Sequence, residues 1–266
     1  MDYKLLITDL DGTMLNSKSE ISERNLKAVH ELQRRGKFIS VGSGRLYVDA
    51  IKYARQLGCQ YNYNIANAGL TIFREGEEEY VAHFEEGYYK RIVDILRYNH
   101  IPFVVMTSDY EGSFYDESSI EFVHRCRELN QGTLIDFIEA DVRDLKNVYK
   151  ISSSYRNVDD IFLHREVERL NRQIRADISG EYFIDLSPRG ISKWTGAIRL
   201  AKEMGISTKE IIAVGDQEND MQIVANVGLG VAMKNAVDSL KKVADVVLPY
   251  TNDEDGVAYL IEKYML

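Results

Sequence analysis

With 266 residues, 45% hydrophobic and 28% charged side chains, the chain has the make-up of an ordinary globular protein, long enough for one large domain or two modest ones. A net charge of -9 disfavours nucleic acid or anionic lipid as the main partner, yet leaves anionic small molecules open, because one divalent cation and a few Lys or Arg side chains outweigh a diffuse, screened surface charge. No apolar run is long enough to span a bilayer, and Met1-Asp2-Tyr3-Lys4 has the shape of neither a signal nor a transit peptide, so a cytoplasmic location is expected.

In chain order, Lys4 to Thr8 reads as a buried strand that ends in Asp9-Leu10-Asp11-Gly12-Thr13. Two residues apart on an extended strand, Asp9 and Asp11 start on the same side of the backbone; Gly12 allows a sharp turn, and Thr13 offers a hydroxyl that can cap the next segment. Ser22 is the expected N-cap of a helix through Leu26, Val29 and Leu32 that stops at Gly36. A strand Phe38 to Val41 leads into Gly42-Ser43-Gly44, a helix through Val48, Ile51, Ala54 and Leu57 comes next, and Tyr63 to Ala66 is a third strand. Strand and helix alternating in this way predict a doubly wound parallel sheet.

After Asn67-Ala68-Gly69 the rhythm changes. Strands Leu70 to Phe73 and Glu79 to His83 flank the charged turn Arg74 to Glu78 as a hairpin. A helix through Tyr89, Ile92 and Leu96, strands Phe103 to Met106 and Ser113 to Tyr115, a helix Ile120 to Arg127, a strand Val148 to Ser152, a helix carrying Leu163, Val167, Leu170 and Ile174, and two strands around Gly180 ending at Leu186 complete the block. From Ser192 the first rhythm returns: a helix through Trp194, Ile198, Ala201 and Met204, a strand Ile211 to Val214, a helix from about Glu218, a strand Val227 to Val231, a helix from Ala236, a strand Val246 to Leu248 and a helix from Gly256. The expected architecture is therefore an α/β sheet domain over 1–82 and 187–266, with an α+β domain over 83–186 inserted into it.

Cys59 and Cys126 lack metal-ligand spacing and are expected to be reduced and structural; the scattered His30, His83, His100, His124 and His164 argue against zinc. Ligands of doubly wound sheets gather beyond the carboxyl ends of the strands. Asp9 and Asp11, Ser43-Gly44-Arg45, Lys193, and Gly215-Asp216-Gln217-Glu218-Asn219-Asp220 all occupy such places or open a helix. Carboxylates with a lysine, a hydroxyl and free backbone N–H groups suit Mg²⁺ and phosphate.

These four segments, in this order and with a long insert between the second and third, resemble the haloacid dehalogenase superfamily, specifically Cof-type, subclass IIB phosphatases with an α+β cap of the C2 type on a Rossmann-like core. The resemblance implies that Asp9 is the nucleophile forming an aspartyl-phosphate, and that Asp11 is the acid for the leaving alcohol and then the base for water. It further implies Mg²⁺ held by Asp9, the Asp11 carbonyl and Asp216. Phosphoryl oxygens would be held by Lys193, Ser43, Asn219 and the backbone N–H groups of Leu10 and Gly44, with Asp220 orienting Lys193. The implied substrate is a small phosphorylated metabolite, foremost a sugar phosphate, cleaved by a phosphatase; a mutase or phosphotransferase and a non-catalytic phosphometabolite sensor are the alternatives. The chain has Ser43 where the family usually has Thr, and Trp194 where it often has Gly; the tryptophan either packs on the sheet or narrows the pocket. Tyr110 to Asp116 and Asp185 to Arg189 are candidates to face the substrate.

Overall fold

A computed structural model describes residues 2–110, 112–129, 136–154, 158–170, 173–179 and 183–266. The chain divides into two compact units, Met1–Val81 with Ile191–Leu266, and Ala82–Gly190.

The first unit opens with β1 (Leu5–Thr8), buried at every position. Such a continuous apolar run is what a parallel strand covered on both faces requires. In α1 (Glu23–Arg34) the Ser22 hydroxyl accepts from Asn25 N–H at 3.1 Å, the N-cap expected from the sequence. Next come β2 (Phe38–Val41), α2 (Tyr47–Gln56) and β3 (Asn64–Ala66). Instead of extending the parallel ladder, β3 touches it through one bridge, Gly42 with Ile65, and pairs antiparallel with β4 (Thr71–Arg74), which pairs with β5 (Glu77–Tyr80). Arg74 lies opposite Glu77, so Glu75-Gly76 alone makes the turn and β5 starts earlier than the run of charges suggests; Gly76 supplies a φ of 76°.

The second unit holds α3 (Glu86–Tyr98), β6 (Phe103–Thr107), β7 (Gly112–Tyr115), α4 (Ile120–Leu129), β8 (Asp136–Glu139), β9 (Val148–Ser154), α5 (Val158–Leu170), β10 (Ile174–Ser179) and β11 (Phe183–Pro188). Its sheet runs β10-β11-β9-β6-β7-β8, antiparallel except between β7 and β8. Phe103, Val105, Ile151, Ile184 and Leu186 share one core with Tyr89, Ile92, Val93 and Leu96 of α3 and Val167 of α5. Ile174 opens β10 and does not continue α5, a correction to the helix expected to carry it. On β11, Asp185 receives Lys150 Nζ at 2.7 Å and the Ser152 hydroxyl at 2.5 Å. Glu111, Gly180 and the Cys126 side chain lie outside the described residues, whereas Cys59 is a buried free thiol.

The chain returns to the first unit with α6 (Lys193–Met204), β12 (Ile211–Gly215), α7 (Met221–Asn226), β13 (Leu229–Ala232), α8 (Asp238–Val243), β14 (Val246–Val247) and α9 (Gly256–Tyr264). The parallel sheet has the order β14-β13-β12-β1-β2, so β1 lies between the strand next after it and those that come late in the chain. The carboxyl ends of β1 and β12 therefore flank the place where strand order reverses, the natural ligand crevice of such a sheet. Trp194 is partly buried against the core of this unit. No helix among the described residues is long and apolar enough to cross a membrane.

Candidate active site

At the end of β1 the Asp9 N–H donates to the Val214 carbonyl at 3.0 Å, which ties the nucleophile candidate to its neighbour β12. The chain then leaves the extended form: Leu10–Met14 winds into a turn in which Gly12 takes a φ of 70°. Alternation along the strand thus stops before Asp11, and the two carboxylates expected to start on the same side of the backbone part company. Asp9 is 7% exposed and Asp216 is 4% exposed. The Asp11 side chain is 57% exposed and both its oxygens accept from Arg45, Oδ2 from Nε at 2.8 Å and Oδ1 from Nη2 at 2.6 Å.

Lys193 opens α6, fixed by the Ser192 capping box, and is 1% exposed. Its ammonium donates to Asp9 Oδ1 at 2.7 Å and to Asp220 Oδ1 at 2.6 Å. The second oxygen of Asp220 accepts from the N–H groups of Asp216 at 3.1 Å and Gln217 at 3.2 Å, so this carboxylate is held on both sides. Asp216 accepts from the Thr13 hydroxyl at 2.9 Å and from Gln217 Nε2 at 3.2 Å. One oxygen each of Asp9, Asp216 and Asp220 lies within 4.8 Å of the others.

Two glycines make this density possible for different reasons. A Cβ on Gly12 would stand 2.3 Å from Asp216 Oδ2, and its φ is already positive; a Cβ on Gly215 would stand 2.2 Å from Asp220 Cγ although its strand backbone suits any residue. From the β2 side, Ser43 is buried and Gly44 faces Asn219, with the Asn219 Nδ2 at 3.6 Å from where a Gly44 Cβ would be. The Asn219 Oδ1 is buried with no hydrogen-bond partner. Leu10 places its side chain in the core.

Burial pushes the Asp9 carboxyl up against the pull of the Lys193 ammonium, and Asp220 and Asp216 add to the rise. Burial likewise raises Asp216, to about 6, helped by Asp220 and opposed by the Thr13 hydroxyl. For Lys193 burial works against the charge, but Asp220 and Asp9 outweigh it and keep the ammonium protonated.

Sequence reasoning misses three supports. Thr13, expected to cap, instead anchors Asp216. Arg45 stands within its motif with nothing in the spacing to mark Asp11 as its partner. Asn235, whose Nδ2 donates to the Gly12 carbonyl at 2.8 Å, lies in a loop after β13 where no pattern marks it.

The sequence profile of a family described as haloacid dehalogenase-like hydrolase matches residues 6–261. Phosphatase YwpJ of Bacillus subtilis is 31% identical, the match covering 99% of this chain and 100% of that protein. The Arabidopsis thaliana protein named chloroplastic endoribonuclease YBEY is 26% identical over 98% of this chain, which spans only 46% of that longer protein. A crystal structure of a haloacid dehalogenase-like hydrolase from Bacteroides thetaiotaomicron superposes with a TM-score of 0.82 at 30% identity, covering 98% of this chain and 99% of that one.

Proposed function

This chain belongs to the haloacid dehalogenase-like hydrolases, of the Cof type, and from that premise we propose that it is a phosphatase which cleaves small phosphate monoesters, sugar phosphates foremost, through a phosphoryl group carried on Asp9. The observation that carries the reading is the buried set in which Lys193 bridges Asp9 and Asp220 beside Asp216, at the carboxyl ends of the central strands. A carboxylate so deeply buried is costly unless it does chemistry or holds a charge.

In the first step an Asp9 oxygen bonds to phosphorus as the P–O bond to the alcohol breaks, and Asp11 gives its proton to the departing oxygen. In the second step water bonds to phosphorus, its proton passes to Asp11, and the bond from phosphorus to Asp9 breaks to release inorganic phosphate. Both side chains end as they began. Lys193 neutralises charge on the phosphoryl oxygens, and Ser43, Asn219 and the N–H groups of Leu10 and Gly44 complete their cradle.

The donor set also fits a hard divalent cation, since buried carboxylate oxygens lie close together and two of the carboxyls are held above their ordinary range. Asp9, the Asp11 carbonyl and Asp216 would hold Mg²⁺, which bound there supplies positive charge to the phosphoryl group. Asp220 has both oxygens engaged and serves to orient Lys193. To the unit Ala82–Gly190 we assign the choice of leaving group.

A panel of phosphate esters with Mg²⁺ tests this. Release of inorganic phosphate from several small monoesters is expected. Conversion of a hexose phosphate to its isomer without phosphate release would replace hydrolysis by a mutase reaction, and no turnover on the whole panel by metal-replete protein would overturn catalysis.

A further inference from the structure

Asp11 and Arg45 form an arrangement in which the guanidinium has no part in the two chemical steps. It meets the carboxylate edge on, through two hydrogen bonds of 2.8 and 2.6 Å, with both oxygens occupied. Its flat face lies over the Tyr53 ring, 5.0 Å from the centroid. The backbone of Arg45 is pinned as well: its N–H donates to the Ser43 hydroxyl at 3.1 Å and its carbonyl accepts from the Asn67 N–H at 2.8 Å. Asn67 takes a φ of 50° and Gly69 one of 106°, states these residue types tolerate, and between them Ala68 at 53° is the strained member, held there by its surroundings. The strained turn thus fixes Arg45, and Arg45 fixes Asp11.

Stability does not explain the pairing. With the Asp11 side chain 57% exposed and that of Arg45 27% exposed, the carboxylate end of the pair is open to solvent, which screens the attraction and limits what the pair adds to folding. What the bidentate, stacked geometry provides is direction: a flexible, exposed carboxylate is confined to one orientation at the rim of the buried set.

We propose that Arg45 is the positioning residue for Asp11: its two hydrogen bonds set the orientation of the carboxyl group, and one of them is released when that oxygen carries the proton to the leaving-group oxygen. The proposal rests on the assignment of Asp11 as the acid and base of the reaction. Loss of the guanidinium leaves the nucleophile, Lys193 and the carboxylate cluster untouched and lets Asp11 swing in solvent. The penalty then falls where proton delivery matters, on esters whose alcohol is a poor leaving group, and spares those whose leaving group departs unaided.

The test compares kcat and KM on hexose 6-phosphate and on p-nitrophenyl phosphate for wild type, Arg45→Met, Arg45→Lys, Tyr53→Phe and Asp11→Asn. Arg45→Met is expected to lose roughly tenfold or more in kcat on the sugar ester and less than about threefold on the nitrophenyl ester. Arg45→Lys, which keeps the charge with a single-point contact, should fall between, and Tyr53→Phe, which keeps the ring face, should match wild type. Asp11→Asn should show the same selective loss in larger measure. If Asp11→Asn shows it and Arg45→Met slows both esters equally or changes only KM, Arg45 binds substrate or supports the fold and the inference is overturned. If Asp11→Asn itself shows no selective loss, the assignment of Asp11 falls, and the inference falls with it.

Discussion

Gly215→Ala separates room for a side chain from freedom of the backbone. The residue ends β12 in a strand conformation, so alanine strains nothing in the main chain, but its Cβ would sit 2.2 Å from Asp220 Cγ and 2.4 Å from Asp220 Oδ2. Either the strand or the Asp220 carboxylate must move. The carboxylate is the softer of the two, and moving it breaks its 2.6 Å contact with Lys193 and its bonds of 3.1 and 3.2 Å to the N–H groups of Asp216 and Gln217. Hydrogen bonds to a charged group are worth about 1.5–3 kcal/mol each, and breaking one arm of a buried ion pair costs about 3–5 kcal/mol. Since Lys193 keeps Asp9, we expect a loss near the lower end, about 3 kcal/mol, together with a fall in turnover of at least roughly tenfold because the ammonium loses its alignment. Gly205→Ala is the matched control: its φ of 66° makes alanine strained, yet nothing lies within 4 Å of the new Cβ. It should cost about 1 kcal/mol and leave turnover unchanged. Thermal melts and phosphate release on both variants give the answer. Should Gly215→Ala match wild type in both assays, the packing of Asp220 against β12 has no bearing on the site.

Asp9→Asn removes the attacking charge while keeping the shape, and turnover should drop by roughly a thousandfold or more with the circular dichroism spectrum unchanged; a variant as active as wild type would contradict the nucleophile assignment. Exhaustive chelation should abolish activity and Mg²⁺ should restore it, so full activity in protein shown by elemental analysis to be metal-free would reject the cation site. In chelated protein Asp216 is raised from 3.8 to about 6, so its contribution to stability is complete below pH 3.8 and is lost as pH rises through about 6. The stability of wild type minus that of Asp216→Asn should therefore fall by about 3 kcal/mol between about pH 4 and pH 7, at about 1.36 kcal/mol per pKa unit, and denaturant titrations giving a pH-independent difference would refute the burial argument.

The parallel strands are readable because a strand covered on both faces must be apolar throughout, as Leu5 to Thr8 and Ile211 to Val214 are. Ile174 misleads because its spacing from Leu170 continues a helical period, and periodicity carries no sign that the helix ends at Leu170 and a strand starts at Ile174. Strand β8 escapes notice for the opposite reason: Asp136-Phe137-Ile138-Glu139 forms the edge of its sheet, is half charged and is largely exposed, so it offers no buried face to recognise. At the site, the convergence of Asp9, Lys193, Asp216 and Asp220 is a consequence of their places at strand ends and a helix start. The direction of the Asp11 side chain is not, because it depends on Gly12 turning the chain and on a guanidinium that arrives from the loop after β2.

The charge on Lys193 makes sense only in this company. As the first residue of α6 it stands at the positive end of the helix dipole, where a cation is disfavoured, and it is desolvated as well. Contacts of 2.7 and 2.6 Å with two carboxylates outweigh both costs. The same contacts leave the buried set unbalanced: Asp9, Asp216 and Asp220 carry three negative charges when ionised, against one positive charge on Lys193. Burial raises Asp9 and Asp216, and the neighbouring carboxylates of the unbalanced cluster add to the rise. A phosphate dianion brought into such a cluster would add to the repulsion, whereas a divalent cation brought first would remove it. Under the proposed metal-assisted reaction the cation is therefore expected to bind before the ester, given the charges that the ends of β1 and β12 and the start of α6 bring together.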